Sequence, residues 1–213
     1  MNLFRAFATV GGYTLASRVL GFVRDILIAG ALGAGPLADA FFVAFKLPNF
    51  FRRLFAEGAF NAGFVPLFTD LLANKGAAPA RIFAEQALSV LLLTLLIFVT
   101  LAQVFMPWLM AVLAPGFVDD PERFDLAVAF TRITFPYLLF ISLVSLMGGV
   151  LNSLHRFAAV AATPILLNLC LITAITLIAP LLPSPGHALA WGVAVAGVVQ
   201  LVWLAVACHR AGF

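Results

Sequence analysis

Between Glu85 and Asp119 the chain carries no fixed charge, and between Arg132 and Arg210 it carries one, Arg156. A hydrocarbon core about 30 Å thick is crossed by about 20 helical residues, and these runs are long enough to do so. With 64% apolar and only 10% charged residues, and a mean hydropathy of +1.13, the chain has too little polar surface for water to be its main solvent. The expected fold is all-α, a polytopic membrane bundle of about six transmembrane helices.

Apolar stretches bounded by Gly, Pro and charge place the spans near 4–33, 40–69, 84–113, 126–151, 158–182 and 187–207. Arg5 ahead of an apolar stretch imitates a secretory leader, but Arg18, Arg24 and Asp25 interrupt it, so it reads as a retained first span. The connections are short, which makes consecutive helices antiparallel neighbours. Residues 1–213 then form a single transmembrane domain. Arg5, Lys75, Arg81, Arg156 and Arg210 fall on one side, opposed in a loop only by Arg123, so both ends of this chain are expected on the cytoplasmic face. Trp108 suits an interfacial anchor. Pro136 and Pro164 are expected to bend the fourth and fifth spans, with Thr163 and Asn168 near enough to bond the freed carbonyls.

Several function classes fall away at once. A net charge of +3 without a basic run does not point to nucleic acid. Cys170 and Cys208 form no metal-ligand spacing, and neither a metal nor another cofactor is expected.

The first two spans are different from the rest. In or beside them stand Arg18, Arg24, Asp25, Asp39, Lys46, Arg52, Arg53 and Glu57. At about 2.5–3.5 kcal/mol per charge near the bilayer centre, turning most of these to lipid is prohibitive. At 100° per residue Thr14, Ser17, Arg18, Gly21, Arg24 and Asp25 share a stripe about 120° wide. On the second span Asp39, Lys46 and Arg53 recur every seven residues with Asn49, Glu57 and Asn61 nearby. Arg52 lies off that line unless Pro48 kinks the helix. Two polar faces on adjacent helices predict a hydrophilic cavity. A dry network, Arg24 with Asp25 and Asp39, or Arg53 with Glu57, is the structural alternative. Five cations against three carboxylates leave an excess of two positive charges, so pairing alone does not close it. Arginine's planar fork suits a diphosphate or another multiply charged headgroup as the missing partner.

Three runs carry a family resemblance: Ser17-Arg18-Val19-Leu20-Gly21-Phe22-Val23-Arg24-Asp25, residues 39–49 (DAFFVAFKLPN) and residues 52–60 (RRLFAEGAF). With Ala114-Pro115-Gly116-Phe117, Thr134-Phe135-Pro136-Tyr137 and Leu151-Asn152-Ser153, they make the chain resemble the N-terminal part of the MurJ (MviN) family. These are lipid II flippases of the multidrug and oligosaccharidyl-lipid exporter superfamily, with a MATE-like lobe fold. The resemblance implies an inner-membrane transporter that moves an undecaprenyl-diphosphate glycolipid outward for peptidoglycan synthesis. It implies Arg18, Arg24, Asp25, Arg52 and Asn49 as headgroup-binding candidates, with Asp25 orienting Arg24, and Asp39, Lys46, Arg53 and Glu57 as a cavity or gate network. The family has two lobes, and this chain resembles one. Alternating access rocks two bundles about a shared site, so a C-terminal lobe or a second copy is the expected partner.

Two other readings stay open. One is a membrane enzyme acting on polyprenyl diphosphates, its arginines stabilising a leaving phosphate and Glu57 or Asp39 serving as acid or base. No histidine lies in the charged helices; His155, His187 and His209 fall in loops or at ends. The other is an exporter of drugs or other lipid-linked sugars on the same scaffold, which would not need so many arginines.

Overall fold

The structure is a computed structural model that describes residues 3–53 and 61–213, with side chains for 8–53 and 62–213. The described residues are helical almost throughout and contain no strand. In chain order the helices are α1 (Leu3–Leu32), α2 (Pro36–Arg52), α3 (Asn61–Lys75), α4 (Ala77–Val104), α5 (Met106–Leu113), α6 (Pro121–Thr134), α7 (Tyr137–Ser153), α8 (Phe157–Thr173) and α9 (Pro185–Ala211). A wider turn over Ala174–Ile178 and a tight one over Ala179–Leu181 continue α8.

Four segments are long and apolar enough to cross a bilayer: Ala77–Val104, Pro121–Ser153, Phe157–Leu181 and Pro185–Ala211. They correspond to the last four expected spans, and the protein is a multi-pass membrane protein. The first expected span is the single helix α1, long enough to cross but carrying Arg18, Arg24 and Asp25. The second contains α2 and α3, the third α4 and α5, and the fourth α6 and α7.

Sequence neighbours are not all packing neighbours. We expected α1 to lie along the second span; instead α1 lies along α8, and α2 along α6. A short loop fixes only that two helices are joined end to end, and Gly33 (φ +64°) followed by Gly35 and Pro36 turns the chain away from α1. At the bundle centre α9 packs against α6, α7 and α8. Its glycines allow the close approach. A Cβ on Gly192 would stand 2.8 Å from the Cβ of Ala174, and one on Gly197 would stand 2.8 Å from Cδ2 of Tyr137. Close packing of small residues replaces the hydrophobic effect between helices in lipid.

Two of the proline breaks are sealed from neighbouring helices. Proline at position i leaves the carbonyl of residue i−4 without its helical donor, a serious cost where no water reaches. Pro48 frees Ala44, and Thr134 Oγ1 of α6 donates to that carbonyl at 2.8 Å. Pro136 frees Arg132, and Gln103 Nε2 of α4 donates there at 2.7 Å. The expectation for α8 needs correction. Thr163 Oγ1 donates to Ala159 O, one residue before the carbonyl that Pro164 frees, and Asn168 reaches across to α1 instead.

Thr134 is fully buried. Thr134→Val therefore removes the donor while keeping the shape, and should destabilise the bundle by about 1–3 kcal/mol. Thr134→Ser should recover most of that loss. The midpoint of SDS-induced unfolding measures both, and a Val variant as stable as the parent would contradict the assignment.

Candidate functional site

A hollow of about 800 Å³ lies among α2, α3, α7, α8 and α9. Asn49 and Arg52 enter it together because residues three apart share a helix face. Arg53, 100° further round, is exposed, as are Asp39 and Lys46 on the same line. The periodic line of charge on α2 is thus real, but the hollow is bordered by the face beside it. Glu57 lies outside the described residues, as does the side chain of Asn61.

The remaining polar lining consists of hydroxyl, amide and imidazole groups. Tyr137 Oη donates to Gln200 Oε1 at 3.2 Å, and Gln200 Nε2 donates to Thr163 O at 2.9 Å. This chain of bonds fixes the amide of Gln200, which is 2% exposed. Thr69, Ser153 and His155 border the hollow toward the end where α7 meets α8. Thr69 and Ser153 hydroxyls stand 3.5 Å apart there.

A second hollow of about 630 Å³ adjoins the first and shares Asn152, Val160 and Pro164 with it. Thr14, Ser17 and Arg18 supply its α1 wall. Among the described residues, the two hollows together are lined by Arg18 and Arg52 and by no carboxylate. A concavity with guanidinium charge in low-dielectric walls attracts anions and repels cations.

Arg24 and Asp25 stand about 9 Å further along α1 from Arg18, at 1.5 Å per residue. They do not line either hollow. Arg24 Nε and Nη2 donate to Asp25 Oδ1 at 3.0 and 2.7 Å, and Nη1 donates to Asn168 Oδ1 at 2.7 Å. Asn168 Nδ2 completes the link by donating to Ser17 O at 2.9 Å. Asn168 is 4% exposed and sits midway along the segment 157–181, so the link holds this stretch of α1 level with the middle of a membrane span. Arginine has five N–H donors. Three are used in these bonds, which leaves two for another anion.

Asp39 does not join the Arg24–Asp25 pair. It lies 3.6 Å from Arg123, which is also 3.4 Å from Asp120. The cause is topology: Asp39 is in the first turn of α2, and α2 packs on α6, whose first turn carries Arg123. The dry network of Arg24, Asp25 and Asp39 is therefore not formed. The alternative pair, Arg53 with Glu57, falls outside the described residues.

Residue-by-residue reading of charge missed Thr69, Ser145, Tyr137, Gln200 and His155 in the hollow. A usable signal existed for Gln200, an amide in a span with no fixed charge, because buried polar groups require partners.

The family model described as "Lipid II flippase MurJ" matches residues 28–213. A probable lipid II flippase MurJ of Rhizobium tropici is 48% identical over 216 aligned residues, covering 100% of this chain and 40% of that protein. The lipid II flippase MurJ of Burkholderia cenocepacia is 44% identical, covering 95% of this chain and 39% of its own length. That of Rickettsia prowazekii, named as probable, is 40% identical over 99% of this chain. The chain spans about 40% of the length of these curated relatives.

Proposed function

The chain belongs to the MurJ lipid II flippase family, and on that premise we propose that residues 1–213 form a single N-terminal lobe that receives the diphosphate headgroup of lipid II. One observation carries the reading: Arg52 of α2 and Arg18 of α1 line two hollows that join at Asn152, Val160 and Pro164. A diphosphate carries the negative charge that guanidinium groups in a low-dielectric hollow attract. Guanidinium groups engage its oxygens as planar forks and stay protonated throughout the cycle. Asn49 adds an amide beside Arg52, and Arg24, held by Asp25 and Asn168, offers its two remaining donors further along α1.

In this reading the prenyl tail stays in lipid while the headgroup occupies the hollow. The mouth beside Thr69, Ser153 and His155 opens to the cytoplasmic face of the inner membrane, where both ends of this chain lie. Asp39, Lys46, Arg53 and Glu57 belong to the network that opens and closes the site. Movement to the other face requires a second bundle across the hollow, from a C-terminal lobe or a second copy. The relatives' names are those of flippases, which favours transport over chemistry on the diphosphate.

Depleting a bacterium of its own flippase and supplying this chain tests the proposal. Supplied together with the part of the Rhizobium tropici relative that it does not cover, the chain should restore growth; supplied alone, it should restore growth only if it pairs with itself. Failure of the combination, with both pieces inserted in the membrane, would overturn the reading. Steady phosphate release from a prenyl diphosphate by purified protein would favour the enzyme instead.

A further inference from the structure

A third concavity, of about 560 Å³, lies between α1, the start of α8 and the last turns of α9. We propose that it holds the headgroup of an anionic bilayer phospholipid, with an acyl chain laid along α9.

Charge is the first argument. The groove is lined by Arg156 and Arg210, with His155 beside them and no carboxylate. Among the described residues neither arginine stands within ion-pair distance of an acid. Both are exposed. Two guanidinium groups converging without a counter-ion, at the end of a membrane bundle, match a lipid phosphodiester.

Construction of the groove is the second. His155 takes a left-handed conformation (φ 57°), and Arg156 N donates to Leu151 O at 2.8 Å. This tight turn between α7 and α8 sets Arg156 in the groove wall with Arg210 of α9. Trp203 Nε1 donates to Ala159 O at 2.9 Å, which fixes an indole in the same wall, with Tyr13 contributed by α1. Ring and hydrogen-bonding tip together suit the boundary between headgroups and acyl chains.

The third argument is continuity with an apolar track. Val206 lines the groove, and Val202, Val199 and Val195 follow it at helical spacing along α9, all exposed. From Val206 to Val195 the track runs about 17 Å at 1.5 Å per residue, which accommodates much of an acyl chain. A soluble anion would use the arginines but not this strip.

The test uses the 213-residue chain with Trp108→Phe and Trp191→Phe, leaving Trp203 as the one indole. The protein is reconstituted in phosphatidylcholine vesicles that contain a small fraction of lipid with brominated acyl chains, which quench tryptophan on contact. Brominated phosphatidylglycerol should quench Trp203 about ten-fold more effectively per mole than brominated phosphatidylcholine. Arg156→Gln with Arg210→Gln should equalise the two lipids, and Arg156→Lys with Arg210→Lys should keep most of the preference. Equal quenching by both lipids in the unsubstituted groove overturns the proposal, whether or not the Gln variant folds. So does a preference that survives removal of both arginines.

Discussion

On the proposed reading, Arg24→Ala abolishes growth rescue by this chain supplied with the part of the Rhizobium tropici relative that it does not cover, although the variant inserts in the membrane at the parent's level. The expectation follows from donor geometry. Asp25 and Asn168 take three of the five guanidinium N–H groups, so the other two are presented in a fixed orientation. A charge-assisted hydrogen bond contributes about 1.5–3 kcal/mol, so its loss weakens headgroup affinity roughly 10- to 150-fold. Arg24→Lys keeps the charge but not the fork, and should leave partial rescue. Quantitative plating of depleted cells reads both variants. Full rescue by Arg24→Ala would remove Arg24 from the headgroup site.

Asn168→Leu is the second large effect. This amide accepts from Arg24 and donates to the backbone of Ser17, and it is nearly fully buried. Leucine does neither, so Arg24 keeps Asp25 but loses Asn168, and the polar link that ties Ser17 and Arg24 of α1 to α8 is gone. Losing a hydrogen bond to a half-buried charged group is expected to cost about 1.5–3 kcal/mol. The unfolding midpoint of the purified lobe should fall accordingly, and a cysteine cross-link between α1 and α8 should form more slowly. An unchanged midpoint would show that apolar contact alone holds α1 in place.

These two residues also mark where sequence stops informing on structure. The uncharged runs located α4, α5 and α7 through α9 well, because the absence of charge over a membrane's thickness admits few alternatives. Hydropathy does not say which span lies beside which. The pairing of α1 with α8 involves one asparagine, whose nearest sequence signal, Pro164, suggested a bond within its own helix. Asp39 shows the same limit. Seven-residue spacing grouped it with Lys46 and Arg53, whereas its partner Arg123 is 84 positions away on a helix brought alongside by packing. Pro48 and Pro136 were readable as breaks, but Thr134 and Gln103, which seal them, are too common as residue types to be chosen in advance. At the site, charge marked Arg18 and Arg52. The neutral lining, Tyr137, Thr163 and Gln200, depended on helix facing that no period reveals across three spans, two of them proline-interrupted.

The central claim is that this lobe holds a water-filled hollow that favours anions, and Thr69 reports on it directly. With Cys170→Ala and Cys208→Ala as background, Thr69→Cys places one thiol in the hollow, and Leu93→Cys places one on the exposed apolar face of α4. Membrane-impermeant thiosulfonates carrying either a sulfonate or a trimethylammonium group are then compared on inserted protein. Thr69→Cys should be modified and Leu93→Cys should not. At Thr69→Cys the sulfonate reagent should react faster, and Arg52→Gln should erase that advantage. Modification of neither position, or faster reaction with the cationic reagent while both arginines are intact, would contradict the claim.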